Sequence, residues 1–130
     1  MRPASCEDDL VDLCGRLVLS HAIDPEFAAR VLGIEREEAE AMVVGACAVR
    51  PLSVGQQERL SLFVNILIRI EWRCQHDSRA IRQALVTPLD GLGGVAPADR
   101  LDGDLDALRL IRHMVDQIEV PRIRWWRVGH

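Results

Sequence analysis

Residues 52–76, LSVGQQERLSLFVNILIRIEWRCQH, decide how this chain folds. The stretch opens on a helix-start signal. Ser53 is a good N-cap, and Gln56 stands three residues on, the spacing of a capping box. It then continues for about 23 residues with no proline and no glycine after Gly55, which is about 35 Å of helix. Its apolar residues are not confined to one stripe. Leu60, Phe63, Val64 and Leu67 mark one face, and Leu62, Ile66, Ile68 and Ile70 fill much of the rest. A helix that is apolar nearly all round must be covered on most sides, by flanking chain or by a second copy. The side around Leu62, Ile66 and Ile70 is therefore a candidate seam of a homodimer.

The chain upstream supplies one cover. Glu7, Asp8 and Asp9 suit a helix N-terminus, and Leu10, Leu13, Cys14, Leu17 and Val18 follow at helical spacing. This predicts a helix over 7–20. Asp24-Pro25 is a second start signal, an N-cap followed by proline at the first helical position. Phe27, Ala28, Val31 and Leu32 form its apolar face, and Gly33 stops it. A third helix over 35–44 turns Ala39, Met42 and Val43 inward and ends at Gly45. Two short helices joined at a glycine turn form a helix-turn-helix pattern, in which Ala29 permits close approach. A connector over 46–52 follows, with Arg50 held out of helix by Pro51.

Downstream, Asp77 or Ser78 can cap a short helix through Ile81, Ala84, Leu85 and Val86, which Thr87-Pro88 ends. Gly91, Gly93, Gly94 and Pro97 make a structured turn. Pro97 can start one helical turn through Leu101, closed by Gly103. The last helix spans 104–120, with Leu105, Leu108, Ile111, Met114, Val115 and Ile118 as its buried face. Pro121 stops it. No strand pair is expected. The fold class is all-α: a degenerate helix-turn-helix region over 1–51, the central helix and a small C-terminal helical module over 52–120, and an Arg/Trp tail over 121–130.

The 130 residues are enough for a core that buries roughly two-thirds of the unfolded surface. Net charge is −4, which argues against a general nucleic-acid binder. All 16 basic residues are Arg, a pattern of coding bias rather than of function. The acidic N-terminus is not a signal peptide, and the longest apolar run is broken by Asn65 and Arg69, so no membrane span is expected. The expected location is cytoplasmic.

Candidate chemistry is sparse. Cys6, Cys14, Cys47 and Cys74 lack CxxC spacing, and Cys14 and Cys47 read as buried free thiols. Cys74 and His76 point to different sides of a helix, so a zinc site there would need distant partners such as His113 or His130. No metal and no cofactor are expected. The glycine turn lacks the residues of a phosphate loop. Ser20 and His21 are adjacent and diverge on a helix, so no nucleophile–base pair stands out and no enzyme is expected. In a DNA-binding reading, the third helix would enter the major groove. It carries four Glu against one Arg between Glu35 and Glu40, and phosphates repel such a surface. Arg36 and Arg50 are its candidate DNA contacts. The tail is different: Trp125 and Trp126 are flanked by Arg122, Arg124 and Arg127, with no acidic residue after Glu119. Trp and Arg are the residues most enriched in binding hot spots. The pair reads either as folded back on the core or as a partner site.

The order of parts resembles the Xre/MbcA/ParS-type antitoxins of bacterial type II toxin–antitoxin systems. The matching residues are Val31-Leu32-Gly33-Ile34, Pro51-Leu52-Ser53 and Gln57-Glu58-Arg59-Leu60, then Thr87-Pro88, Leu92-Gly93-Gly94, Pro97 and Leu101. They cover roughly residues 23–118. The resemblance implies an antitoxin whose C-terminal half binds a RES-domain toxin that degrades NAD and obstructs its active-site entrance. It implies a toxin-facing segment that includes Leu92, Gly93, Gly94, Pro97 and Leu101. It also implies dimerisation and repression of the protein's own operon. The tail residues Arg122, Arg124, Trp125, Trp126 and Arg127 are expected to reach toward the toxin's NAD cleft. The alternative is a helix-turn-helix DNA-binding transcriptional regulator with operator DNA as its partner.

Overall fold

A computed structural model of the chain describes residues 6–44 and 52–115. Among them it has seven α-helices and no strand. The helices are α1 (Cys6–Ser20), α2 (Pro25–Leu32), α3 (Arg36–Val43), α4 (Val54–Arg73), α5 (Ser78–Val86), α6 (Pro97–Arg100) and α7 (Leu105–Met114). The all-α expectation holds. None of these helices is long and apolar enough to cross a membrane.

The helix boundaries follow local chemistry. The Asp24 carboxylate accepts from the Glu26 amide at 3.0 Å, and Pro25 opens α2. Gly33 closes α2 in the left-handed region at φ 71°, with its amide bonded to the Ala29 carbonyl at 2.9 Å. α3 then packs back on α2 and on α1. At the start of α4 the capping box is formed in full. Ser53 Oγ accepts from the Gln56 amide at 3.1 Å, and Gln56 Oε1 accepts from the Ser53 amide at 2.9 Å. Of the two candidate caps for α5, Asp77 is the one used.

α4 is the axis of one continuous core. α1, α2, α5 and α7 all pack against it. Phe63 and Phe27 meet edge to face with ring centres 6.1 Å apart, and Leu60, Phe63, Ile66, Leu67 and Ile70 are all 1% exposed or less. This corrects the expected dimer seam. Ile66 and Ile70 are 0% and 1% exposed within the single chain and offer no surface to a second copy. Leu62 is half-buried and packed on the same core. The reason is topological: α1, α2, α5 and α7 all pack against α4, an arrangement that local periodicity does not reveal.

One close approach has no counterpart in the sequence reading. A methyl group at Gly15 of α1 would collide with the Met42 carbonyl oxygen, so α1 and α3 meet backbone to side-chain-free backbone. The α7 end of α4 is fastened by polar contacts instead. Arg59 Nε donates to the Gly103 carbonyl at 2.7 Å, and Arg109 pairs with Glu58 at 2.5 Å.

Candidate functional site

The glycine turn between α5 and α7 is ordered by its own backbone. Leu89 and Val95 form a single antiparallel bridge, with the Leu89 amide donating to the Val95 carbonyl at 3.1 Å. Asp90–Leu92 make a 3-10 turn between them. Gly93 and Gly94 both take left-handed conformations, at φ 71° and 79°, and both are exposed. The five described residues of the expected toxin-facing segment therefore divide into two groups. Gly93 and Gly94 are on the surface, while Leu92, Pro97 and Leu101 are buried and anchor the turn from beneath. The tail residues Arg122, Arg124, Trp125, Trp126 and Arg127, and Arg50 of the connector, lie outside the described residues.

On α3, Arg36 does not project alone. Its Nε lies 3.2 Å from Glu40, an exposed pair one helical turn apart. The Glu38 carboxylate accepts from the Glu35 amide at 3.0 Å, and Glu35, Glu37 and Glu40 are exposed. The surface of α3 is anionic, and its one cation is engaged.

A polar cluster that sequence reasoning missed sits at the other end of the molecule. His21, just past α1, is the buried polar residue of the described core at 4% exposure. Its Nε2 lies 2.8 Å from Glu71 Oε2 near the end of α4, and its Nδ1 lies 2.7 Å from Ser78 Oγ at the start of α5. Ser78 Oγ is also 3.3 Å from the Ser20 carbonyl, and His76 Nδ1 is 3.5 Å from the same Glu71 oxygen. The partners are 50 and 57 residues from His21 in sequence, so no local pattern could have joined them. A carboxylate only accepts, so the imidazole presents Nε2–H to Glu71.

A carboxylate, an imidazole and a hydroxyl in a row suggest nucleophilic catalysis. The surroundings do not suit it. Acyl transfer needs free N–H donors beside the hydroxyl to receive an oxyanion. Here the Asp77 carboxylate already takes the Arg79 and Ala80 amides, at 2.9 and 3.3 Å, and sets a negative charge beside Ser78. The trio acts as a latch. It ties three helix ends together where Ala22, Gln75 and His76 hold left-handed φ values of 53°, 53° and 62°, conformations that cost a residue with a side chain about 1 kcal/mol or more each.

The buried thiols are quiet. Burial pushes Cys14 up to about 12. Burial also raises Cys74 to about 11, with Asp77 adding to the shift and Arg73 opposing it. Among the described residues no three His, Cys, Asp or Glu side chains gather in a metal-binding group. An apolar notch between α1, α3 and the start of α4 is lined by Val11, Leu32, Met42 and Leu60, with Glu38 and Gln56 among its lining. Both of these polar side chains are already engaged in capping.

Comparison of the chain with protein-family models, with curated proteins and with solved structures gives no match.

Proposed function

We propose that the chain is an antitoxin that neutralises a RES-domain, NAD-degrading toxin by binding it and obstructing its active-site entrance. The observation that carries this reading is the ordered set of signals in the second half. A long helix opens on Ser53 and Gln56, a short one closes at Thr87-Pro88, and Leu92-Gly93-Gly94, Pro97 and Leu101 follow at the spacing of that family. The exposed Gly93-Gly94 turn supports the reading. It is backed by three buried side chains, so a partner meeting it would not have to order a floppy loop. The tail composition supports it too, since Trp supplies contact area and Arg supplies bidentate hydrogen bonding.

The test is NAD consumption by a purified RES-domain toxin. The full chain should suppress it. A chain lacking residues 121–130 should need at least about tenfold more protein, or about 1.4 kcal/mol of binding. Gly94→Val, which strains the turn, should weaken suppression as well. No suppression by the full chain would end the reading, and suppression unaffected by either change would end the assignment of the toxin-facing surface.

A DNA-binding regulator is the second reading, favoured by the tight turn at Gly33 between α2 and α3. A mobility shift of the chain's own promoter at stated salt, abolished by Arg36→Ala, would support it.

A further inference from the structure

We propose that the end of the bundle where α1 stops, α4 stops and α5 starts is a docking surface for an acidic segment of a protein partner. This inference does not rest on the antitoxin reading. It starts from two side chains that the fold leaves in water. Trp72, in the last turn of α4, is 74% exposed, and Leu19, in the last turn of α1, is 64% exposed. The helix ends that carry them are tied together, because His21, two residues after Leu19, bonds both to Glu71 of α4 and to Ser78 at the start of α5. An indole and a large aliphatic side chain left uncovered at helix ends tied together in this way offer apolar contact area to a partner. Trp is also the side chain most often found as a binding anchor.

The charge around them is net positive. Between residues 69 and 82 the chain carries Arg69, Arg73, Arg79 and Arg82 against Glu71 and Asp77. Both acids are already hydrogen-bonded, Glu71 by His21 and His76 and Asp77 by the amides that start α5, and Arg69 and Arg73 have partners of their own, which leaves Arg79 and Arg82. Arg79 and Arg82 are exposed, and among the described residues their guanidinium groups make no ion pair. A carboxylate-bearing segment fits two free guanidinium forks, and an apolar residue within it fits Trp72 and Leu19.

Nucleic acid suits the surface less well. The chain as a whole is at −4, and α3 exposes Glu35, Glu37 and Glu40. A long polyanion meets that wider field, whereas a short acidic segment meets only the local cations, within about one screening length of roughly 8 Å.

The experiment titrates the full chain into a short fluorescein-labelled peptide of Glu interrupted by Leu, read by anisotropy. Binding should weaken about tenfold or more in Trp72→Ala and in the double variant Arg79→Glu, Arg82→Glu. It should also weaken about tenfold when Lys replaces Glu in the peptide. Helix content by circular dichroism should not change. If Trp72→Ala loses helix content, the Arg double variant on the exposed face of α5 carries the test. Undiminished binding by the Arg variant, no binding by the unaltered chain, or tighter binding of single-stranded oligothymidine than of the peptide would each overturn the proposal.

Discussion

The two ends of α4 are secured in different ways. At the start, Ser53 and Gln56 exchange hydrogen bonds across three residues, and the helix begins there because its own sequence says so. At the finish, Glu71 is held by His21 from 50 residues earlier, and the next helix is held through Ser78 by the same ring. Both ends are capped locally, but the finish is in addition tied to two other helix ends through one buried ring. The first kind of contact sets where a helix starts. The second sets how three helices meet, and so has more structure depending on it.

Both ends serve a buried middle, which gives the scale for any loss. Ile66 is fully buried in the centre of α4. Ile66→Ala should cost about 2–5 kcal/mol in urea unfolding, the range for a large-to-small change in a close-packed core. A loss below about 1 kcal/mol would mean that the ends, rather than the middle, hold the helix in place. Ile66→Glu should unfold the chain outright. A folded Ile66→Glu protein would require Ile66 to face outward.

The latch comes next. His21→Ala leaves Glu71 without its buried donor and Ser78 without a ring partner, and it removes the clamp on the left-handed residues Ala22, Gln75 and His76. The expected loss is about 1–3 kcal/mol, the cost of leaving a partly buried polar group unmade. Ser78→Ala should add little on top of His21→Ala, because both remove parts of one network. Full additivity of the two changes would show that the three groups do not act together.

What could be read in advance follows the same division. The Ser53–Gln56 capping box, Asp24-Pro25, the Gly33 stop and the apolar faces of α2 and α7 are signals carried within a few residues, and each appears where its spacing puts it. The all-α class follows from them. The latch, the Gly15–Met42 contact and the burial of Ile66 and Ile70 depend on which helices meet. Sequence adjacency pairs His21 with Ser20, whereas the hydroxyl that faces His21 in the fold belongs to Ser78. Leu92, Pro97 and Leu101 read as surface in a motif, yet they are core in the fold. Motif spacing marks position along the chain and carries no information on which side of it is covered.

Alkali probes the buried thiols of the core. Cys74 caps the latch end of α4, and Cys14 is buried on α1. Both thiols titrate far above the ordinary value near 9, at about 11 and about 12, because burial disfavours the thiolate. A group with a raised folded-state value contributes stability that is fully present below its unfolded value and is lost as pH rises toward the folded one. The window therefore opens near pH 9. The chain has no Lys and no Tyr, so between pH 9 and 11 its thiols dominate the titration. Moving from pH 8 to pH 10 in reductant should lower unfolding free energy by about 1 kcal/mol per buried thiol. Replacing Cys14 and Cys74 together with Ala should flatten that slope. An equally steep slope in the double variant would assign the loss to other groups.

The smallest effect belongs to the end that was easiest to read. Ser53→Ala removes one side-chain acceptor from the start of α4 and should cost about 1 kcal/mol, the usual value for an N-cap. Gln56 is the more informative residue there. Its Oε1 completes the box, while its Nε2 donates to the Gly33 carbonyl at 2.8 Å, fastening α4 to the turn that closes α2. Gln56→Ala should therefore cost more than Ser53→Ala, by about the 0.5–1.5 kcal/mol of one further hydrogen bond. The two variants measured side by side separate the local contribution of the cap from its single long-range contact. If Ser53→Ala costs as much as His21→Ala, the contrast between the two ends is lost, and the local cap must be counted as tertiary structure too.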